Sequence, residues 1–254
     1  MSLAQFLPSN VFAALLIFTR IGAAMMLLPG FGEVYVPTRA RLLLAFILSA
    51  LLLPILAPIL PPLPGNPSQL VVILGSELAI GVFIGTLTRL MLAALETAGQ
   101  VVSLQAGLSN AVMFNPIQAT QSSIPSTLYG NLGILLIFLG NLHYLMLRGL
   151  VNSYAVFPPG HLPPIGDLSQ TVARVAAGSF TLALEMAAPF VVLGIVFFVG
   201  LGIISRLVPQ VQITFVTQPL QIMGGLLLFA LVMAASMGWF LTAFGQQFSQ
   251  IIPG

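Results

Sequence analysis

The sequence predicts an all-α chain of hydrophobic helices, integral to a membrane or buried in a membrane-associated assembly. Three observations predict it. Apolar residues make up 58% of the 254 positions and charged residues 5%, whereas a soluble domain carries about a quarter charged residues. Mean hydropathy is +1.10. Residues 42–76, 97–147 and 207–254 carry no charge at all, and each interval exceeds the roughly 20 apolar residues a spanning helix needs. These features exclude an ordinary water-soluble enzyme and a disordered chain. They also exclude a nucleic-acid binder, which needs clustered basic residues against phosphates. The pI near 9.5 means little, because the net charge is only +2. Cysteine is absent, which removes disulfides, thiolate chemistry and thiolate metal ligands.

Six hydrophobic segments follow in order, at about 10–28, 42–60, 70–95, 130–156, 174–205 and 220–245. In the first, Arg20 sits inside the apolar run instead of ahead of it, so the segment reads as retained and not as a cleaved signal. Pro29, Gly30, Gly32 and Pro37 break the chain after it. Pro54, Pro58, Pro61, Pro62, Pro64 and Pro67 form a stiff connector after the second. Pro158, Pro159, Gly160, Pro163 and Pro164 follow the fourth, and Pro209 and Pro219 bracket the turn between the last two. Proline lacks a backbone donor and clashes with the preceding turn, so such clusters mark ends or kinks. With no internal repeat and no polar appendix, residues 1–254 read as a single unit. Arg39, Arg41 and Arg206 place the first and fifth connectors on the cytoplasmic side and the N-terminus outside, while Arg148 and Arg174 argue the other way.

The chemistry-bearing side chains are few. His143 and His161 are the only histidines, and no metal-binding helix motif, carboxylate pair, nucleophile elbow or phosphate loop occurs. No cofactor, metal site or catalysis is expected. His143 reads as a hydrogen-bonded structural residue and His161 as solvated. Arg20, Glu77, Arg89, Glu96 and Glu185 lie within or at the ends of apolar segments, where an ionisable group needs a partner or a wet cavity. Intersubunit or intrahelical pairing that fixes assembly is the simpler reading; a proton or ion path is the alternative. Arg89 and Glu96 are spaced to share one helix face. Gly81 and Gly85 form a small-residue motif for close helix packing, continued by Ala94 and Ala98.

The stretch 99–127 is rich in uncharged polar side chains. Gln100, Ser103, Gly107 and Asn110 are spaced as one polar or small stripe on a helix. Asn115–Pro116 then breaks that helix, since the residue before proline avoids the helical region. Met113 and Phe114 are apolar at the break, and Gln118 and Gln121 follow. Such a stripe leading to a broken loop suits the lining of a water-filled path, with the apolar residues as a plug. An ordinary solvent-facing loop is the other reading.

Several of these pieces together resemble one family. Arg20-Ile-Gly22-Ala-Ala-Met-Met-Leu-Leu-Pro29-Gly30-Phe31-Gly32, then Val36-Pro37 and Arg39-Ala-Arg41, resemble the opening of the FliR family of flagellar export-gate membrane proteins, relatives of the SctT subunits of injectisomes. Gly75-Ser-Glu77 through Gly81 to Gly85, Ala98-Gly99-Gln100, Leu104-Gln105-Ala-Gly107-Leu108-Ser109 and Ser205-Arg206-Leu-Val-Pro209-Gln210 with Pro219-Leu220 match it in order. The chain departs from the family at Asn115, where an acid is usual, and at Gln212 and Gln218, near an Asn and a Gly. The resemblance implies a scaffold and channel subunit, not an enzyme. It implies broken-helix hairpins in a FliP-like part over about 1–173 and a FliQ-like hairpin over about 174–250, in a helical export-gate core held largely above the plane of the bacterial inner membrane at the flagellar basal body. One copy would join several FliP-type and FliQ-type subunits, with FlhB-type and FlhA-type subunits nearby and unfolded exported proteins passing through. Lipid would contact it; nucleic acid would not. Residues 110–123 look like the family's plug. A small multi-span secondary transporter or channel is the alternative, with two matching broken-helix halves as its mark.

Overall fold

The computed structural model describes residues 3–108, 123–161, 163–207 and 213–251, and side chains from residue 9 onward within these, except 213–216. Every regular element among them is helical: α1 (Leu3–Met25), α2 (Thr38–Leu56), α3 (Pro67–Gln105), α4 (Ile124–Leu139), α5 (Leu142–Val156), α6 (Ile165–Leu207) and α7 (Ile213–Ile251), with a short 3-10 turn at Ala57–Ile59. The all-α expectation holds. The chain resolves into two compact units. One comprises Met1–Leu90, Asn141–Ala176 and Gly245–Gly254; the other comprises Met91–Gly140 and Ala177–Phe244.

Local chemistry explains most boundaries. Pro37 precedes α2 in extended backbone, where its missing N–H costs nothing. The Ser123 side chain accepts from the Ser126 amide and caps α4, with a proline in the first turn. Helix α3 ends in a Schellman motif: Leu108 N–H donates to Ser103 O at 3.0 Å and Gly107 N–H to Leu104 O at 3.2 Å. Gly107 has φ +71, a left-handed value that glycine adopts without steric penalty.

Three sequence expectations are corrected. The fourth hydrophobic segment is not one helix. It breaks into α4 and α5, bent by 75°, because Gly140 ends α4 and Asn141 adopts φ 58, ψ 14. Asparagine is among the few residues that enter this region readily. Helix α3 stops at Gln105, before Asn115–Pro116, so Gly107 belongs to the cap and not to a helical stripe. Pro54 and Pro219 lie inside α2 and α7 and not in connectors, and Pro189 lies inside α6.

Among the described residues, four helical stretches are long and apolar enough to cross a membrane: Thr38–Ile59, Pro67–Gln105, Ile165–Leu207 and Thr217–Ile251, with the α4–α5 pair as a fifth if the bent pair is one span. The apolar part of α1, Ser9–Met25, is shorter. Much apolar surface stays uncovered, including Leu43, Phe46 and Leu51 on α2 and Val192, Val196 and Leu231 on α6 and α7. Patches of that size mark contact with lipid or other chains.

Candidate functional site

In the first unit the polar centre is Arg20 on α1. Its Nε donates to Glu77 Oε2 at 2.6 Å and its Nη2 to Oε1 at 3.0 Å. Nη1 donates to Ser153 Oγ at 3.2 Å and Nη2 also to the Phe157 carbonyl at 3.0 Å. The guanidinium carbon stands 4.0 Å from the Tyr154 ring centroid. Both charged side chains are 0% exposed. Arginine suits this role because its planar fork meets a carboxylate with two parallel bonds while its face stacks on an aromatic ring. The pair joins α1 to α3 within one chain, not along one helix.

Gly81, one turn after Glu77, makes this approach possible. A Cβ there would collide with the Arg20 carbonyl oxygen and lie 2.8 Å from Ala23 Cβ. A Cβ at Gly85 would lie 2.6 Å from Leu27 Cβ. The two glycines therefore seat α3 directly on α1. Close by, Arg89 pairs with Glu33, not with Glu96. Arg41 donates to the main-chain carbonyls of Glu33 and Val36, the latter from Nη2 at 2.8 Å. These bonds hold the loop between α1 and α2, whose Val34 is 97% exposed.

In the second unit the polar stretch divides. Gln100 is exposed and Ser103 is buried, so the two do not share one environment. The end of α3 enters a notch lined by α6 and α7. Gln221 Nε2 donates to the Gln105 carbonyl at 2.9 Å, satisfying one of the carbonyls that a helix end leaves free. Cβ atoms added at Gly194 and Gly225 would stand 3.0 Å from Gln105 Cδ and 2.8 Å from Ala106 Cα. The start of α4 is also fixed. Ser126 Oγ donates to Glu96 O at 2.8 Å, and a Cβ at Gly99 would lie 2.6 Å from Ser126 N. Further along α4, the Tyr129 hydroxyl and Ser236 Oγ share a 3.1 Å hydrogen bond. Both helix ends that flank residues 109–122 are thus anchored to other helices of this unit.

Asn110, Met113, Phe114, Asn115, Pro116, Gln118 and Gln121 lie outside the described residues. Arg206 is exposed near the end of α6 and makes no ion pair among the described residues. His161 lines an apolar cavity of about 240 Å³ in the first unit with Ile80, Phe157 and three prolines, and His143 stacks beside Tyr144. Among the described residues no three His, Asp or Glu side chains gather. Sequence reasoning missed Ser153, Tyr154, Gly194, Gln221 and Gly225. Only Gln221, an amide in an apolar run, carried a readable signal.

A family described as bacterial export proteins, family 1, matches residues 11–247. The flagellar biosynthetic protein FliR of Caulobacter vibrioides is 35% identical over 231 residues, covering 91% of this chain and 92% of that protein. That of Bacillus subtilis is 29% identical over 213 residues, covering 83% and 82%. The Yop proteins translocation protein T of Yersinia pestis is 27% identical over 156 residues, covering 60% and 59%.

Proposed function

The chain belongs to the bacterial export proteins of family 1, and on that premise we propose that it is a structural, channel-forming subunit of the flagellar type III export gate. A role in an export apparatus follows from the family, and the apolar helices make it a membrane protein. The finer reading adds that the chain helps form and close a conduit for unfolded flagellar proteins. It does so as one copy among FliP-type and FliQ-type subunits in the inner membrane at the basal body, with FlhB-type and FlhA-type subunits alongside. Residues 1–173 act as the FliP-like part and 174–250 as a FliQ-like hairpin.

The observation that supports a conduit role is the anchoring of both ends of 109–122. The carbonyl of Gln105 is capped by Gln221, and Ser126 is pressed against Gly99. A segment that blocks a path needs fixed ends, because a plug on two loose tethers spreads over many positions at an entropic cost. Met113 and Phe114 supply apolar bulk and Asn110, Gln118 and Gln121 an uncharged polar surround. Such a lining passes many unfolded sequences without selecting among them. Deleting 113–121 tests this reading. It leaves the assembly intact and raises ion conductance of the closed gate. An intact assembly with wild-type conductance would remove the plug from the account.

A further inference from the structure

We propose that Glu96 and Gln100 on α3, with Thr127 and Asn131 on α4, form a water-bearing wall of the conduit, and that the Glu96 carboxylate makes this wall prefer hydrated cations. The inference rests on the reading of the chain as part of a conduit.

Helices α3 and α4 run antiparallel in the second unit and touch through small residues. A Cβ at Gly99 would lie 2.6 Å from Ser126 N, and one at Gly130 would lie 3.5 Å from Glu96 Cγ. One at Gly133 would collide with Leu95 Cδ1 and stand 3.3 Å from Leu92 Cδ1. Leu95, Gly99, Ser126 and Gly130 therefore lie along the contact line. Each of the four polar residues follows one of these by a single position, which turns it about 100° around its helix. In an antiparallel pair that turn brings the residues of both helices to the same side. Glu96 then stands level with Asn131, and Gln100 level with Thr127. All four are exposed.

The chemistry of this face calls for water. Among the described residues the side chains of Glu96, Gln100 and Asn131 make no hydrogen bond or ion pair. The Thr127 hydroxyl donates to the Ser123 carbonyl at 3.2 Å, which leaves its own oxygen open as an acceptor. The next face of α4 differs in kind, with Leu128, Leu135 and Leu139 exposed. Hydrocarbon suits these leucines and satisfies none of the polar four. A partner subunit would have to bring matched donors and acceptors for two amides and a carboxylate at once, whereas water reorients to meet each. Position gives the second reason. Ser126 Oγ donates to the Glu96 carbonyl at 2.8 Å. That bond joins the two halves of the face, and it also fixes the start of α4, one of the two anchored ends that flank 109–122. The wall is continuous with an anchor of the proposed plug. Glu96 is its one charge, with none following it before Arg148. A single-signed charge on a narrow wet path raises the local concentration of its counter-ions.

The chain has no cysteine, so single cysteines can be read in its assembly with FliP-type and FliQ-type subunits, with the wild-type chain as the blank. A charged methanethiosulfonate is applied to the purified assembly, where it meets both ends. It is expected to modify Thr127→Cys and Asn131→Cys and to spare Leu128→Cys and Leu135→Cys. Conductance of the assembly lacking 113–121 gives the second readout, with potassium and chloride as the probe ions. Glu96→Lys is expected to move the permeability ratio toward chloride by about threefold or more, the scale of one charge a few ångström away in water. Glu96→Gln falls between, and Glu185→Gln, at an exposed acid on α6, leaves the ratio unchanged. Protection of Thr127→Cys and Asn131→Cys, equal modification of all four positions, or a conducting assembly indifferent to Glu96→Lys would overturn the wall and leave the conduit standing. An assembly lacking 113–121 that conducts no more than wild type would overturn both.

Discussion

Arg20 and Glu77, 57 positions apart, meet as a two-bond ion pair in which neither side chain reaches solvent. The pair is expensive to break and cheap to replace. Glu77→Ala leaves a buried guanidinium with Ser153 and one carbonyl for company, and is expected to cost about 3–5 kcal/mol. The double replacement Arg20→Met, Glu77→Leu removes both charges and is expected to recover most of that loss. Thermal unfolding of the detergent-solubilised assembly checks the cycle. A double variant as unstable as the sum of its singles would show that the two residues act independently.

Glycine contacts give a sharper test because two positions on one helix differ in surroundings. Gly81→Ala drives a methyl into the Arg20 main chain, whereas a Cβ at Gly75 meets nothing within 4 Å. The first is expected to destabilise by about 1–3 kcal/mol. The second is expected to be neutral or to stabilise by about 0.5–1 kcal/mol, since alanine favours helix. The same unfolding assay reads both, and equal effects would refute the close contact.

The end of α3 depends on Gly107 and Gln221. Gly107→Ala places a Cβ at φ +71 and about 3.1 Å from Gln221 Cδ, at an expected cost of about 1–2 kcal/mol. Gln221→Leu removes one side-chain donor, for about 1 kcal/mol. Hydrogen exchange at the Gly107 and Leu108 amides, which close the cap, should accelerate in Gly107→Ala. Unchanged exchange would mean that the cap does not depend on the glycine.

At the break between α4 and α5, Asn141→Gly is expected to fall within about 0.5 kcal/mol of wild type, while Asn141→Ile costs about 1–2 kcal/mol. A β-branched residue at φ 58 crowds its own carbonyl, and glycine does not. Thermal unfolding again measures the difference, and a tolerated isoleucine would argue against a left-handed residue there.

Hydropathy made the number and rough position of the apolar segments legible, because a long charge-free run has few folds open to it. It hid the α4–α5 break. Gly140 and Asn141 bring neither charge nor proline to the run, yet a single left-handed residue redirects the helix axis. Proline misled in the other direction: Pro54 and Pro219 stay inside helices, where the missing N–H remains a local cost. Arg20 and Glu77 stood out as charges in need of partners, but their mutual pairing needs the tertiary approach made by Gly81 and Gly85. Gln221 serves a main-chain carbonyl, and main-chain acceptors look alike in every sequence.

The central claim is that this chain works as one subunit among unlike partners. Co-expression with FliP-type and FliQ-type subunits, capture on a tag carried by this chain, and weighing of the intact detergent complex test it most directly. The account predicts a discrete complex containing a single copy of this chain. A stable homo-oligomer that keeps no partner would contradict it and bring the small multi-span transporter forward.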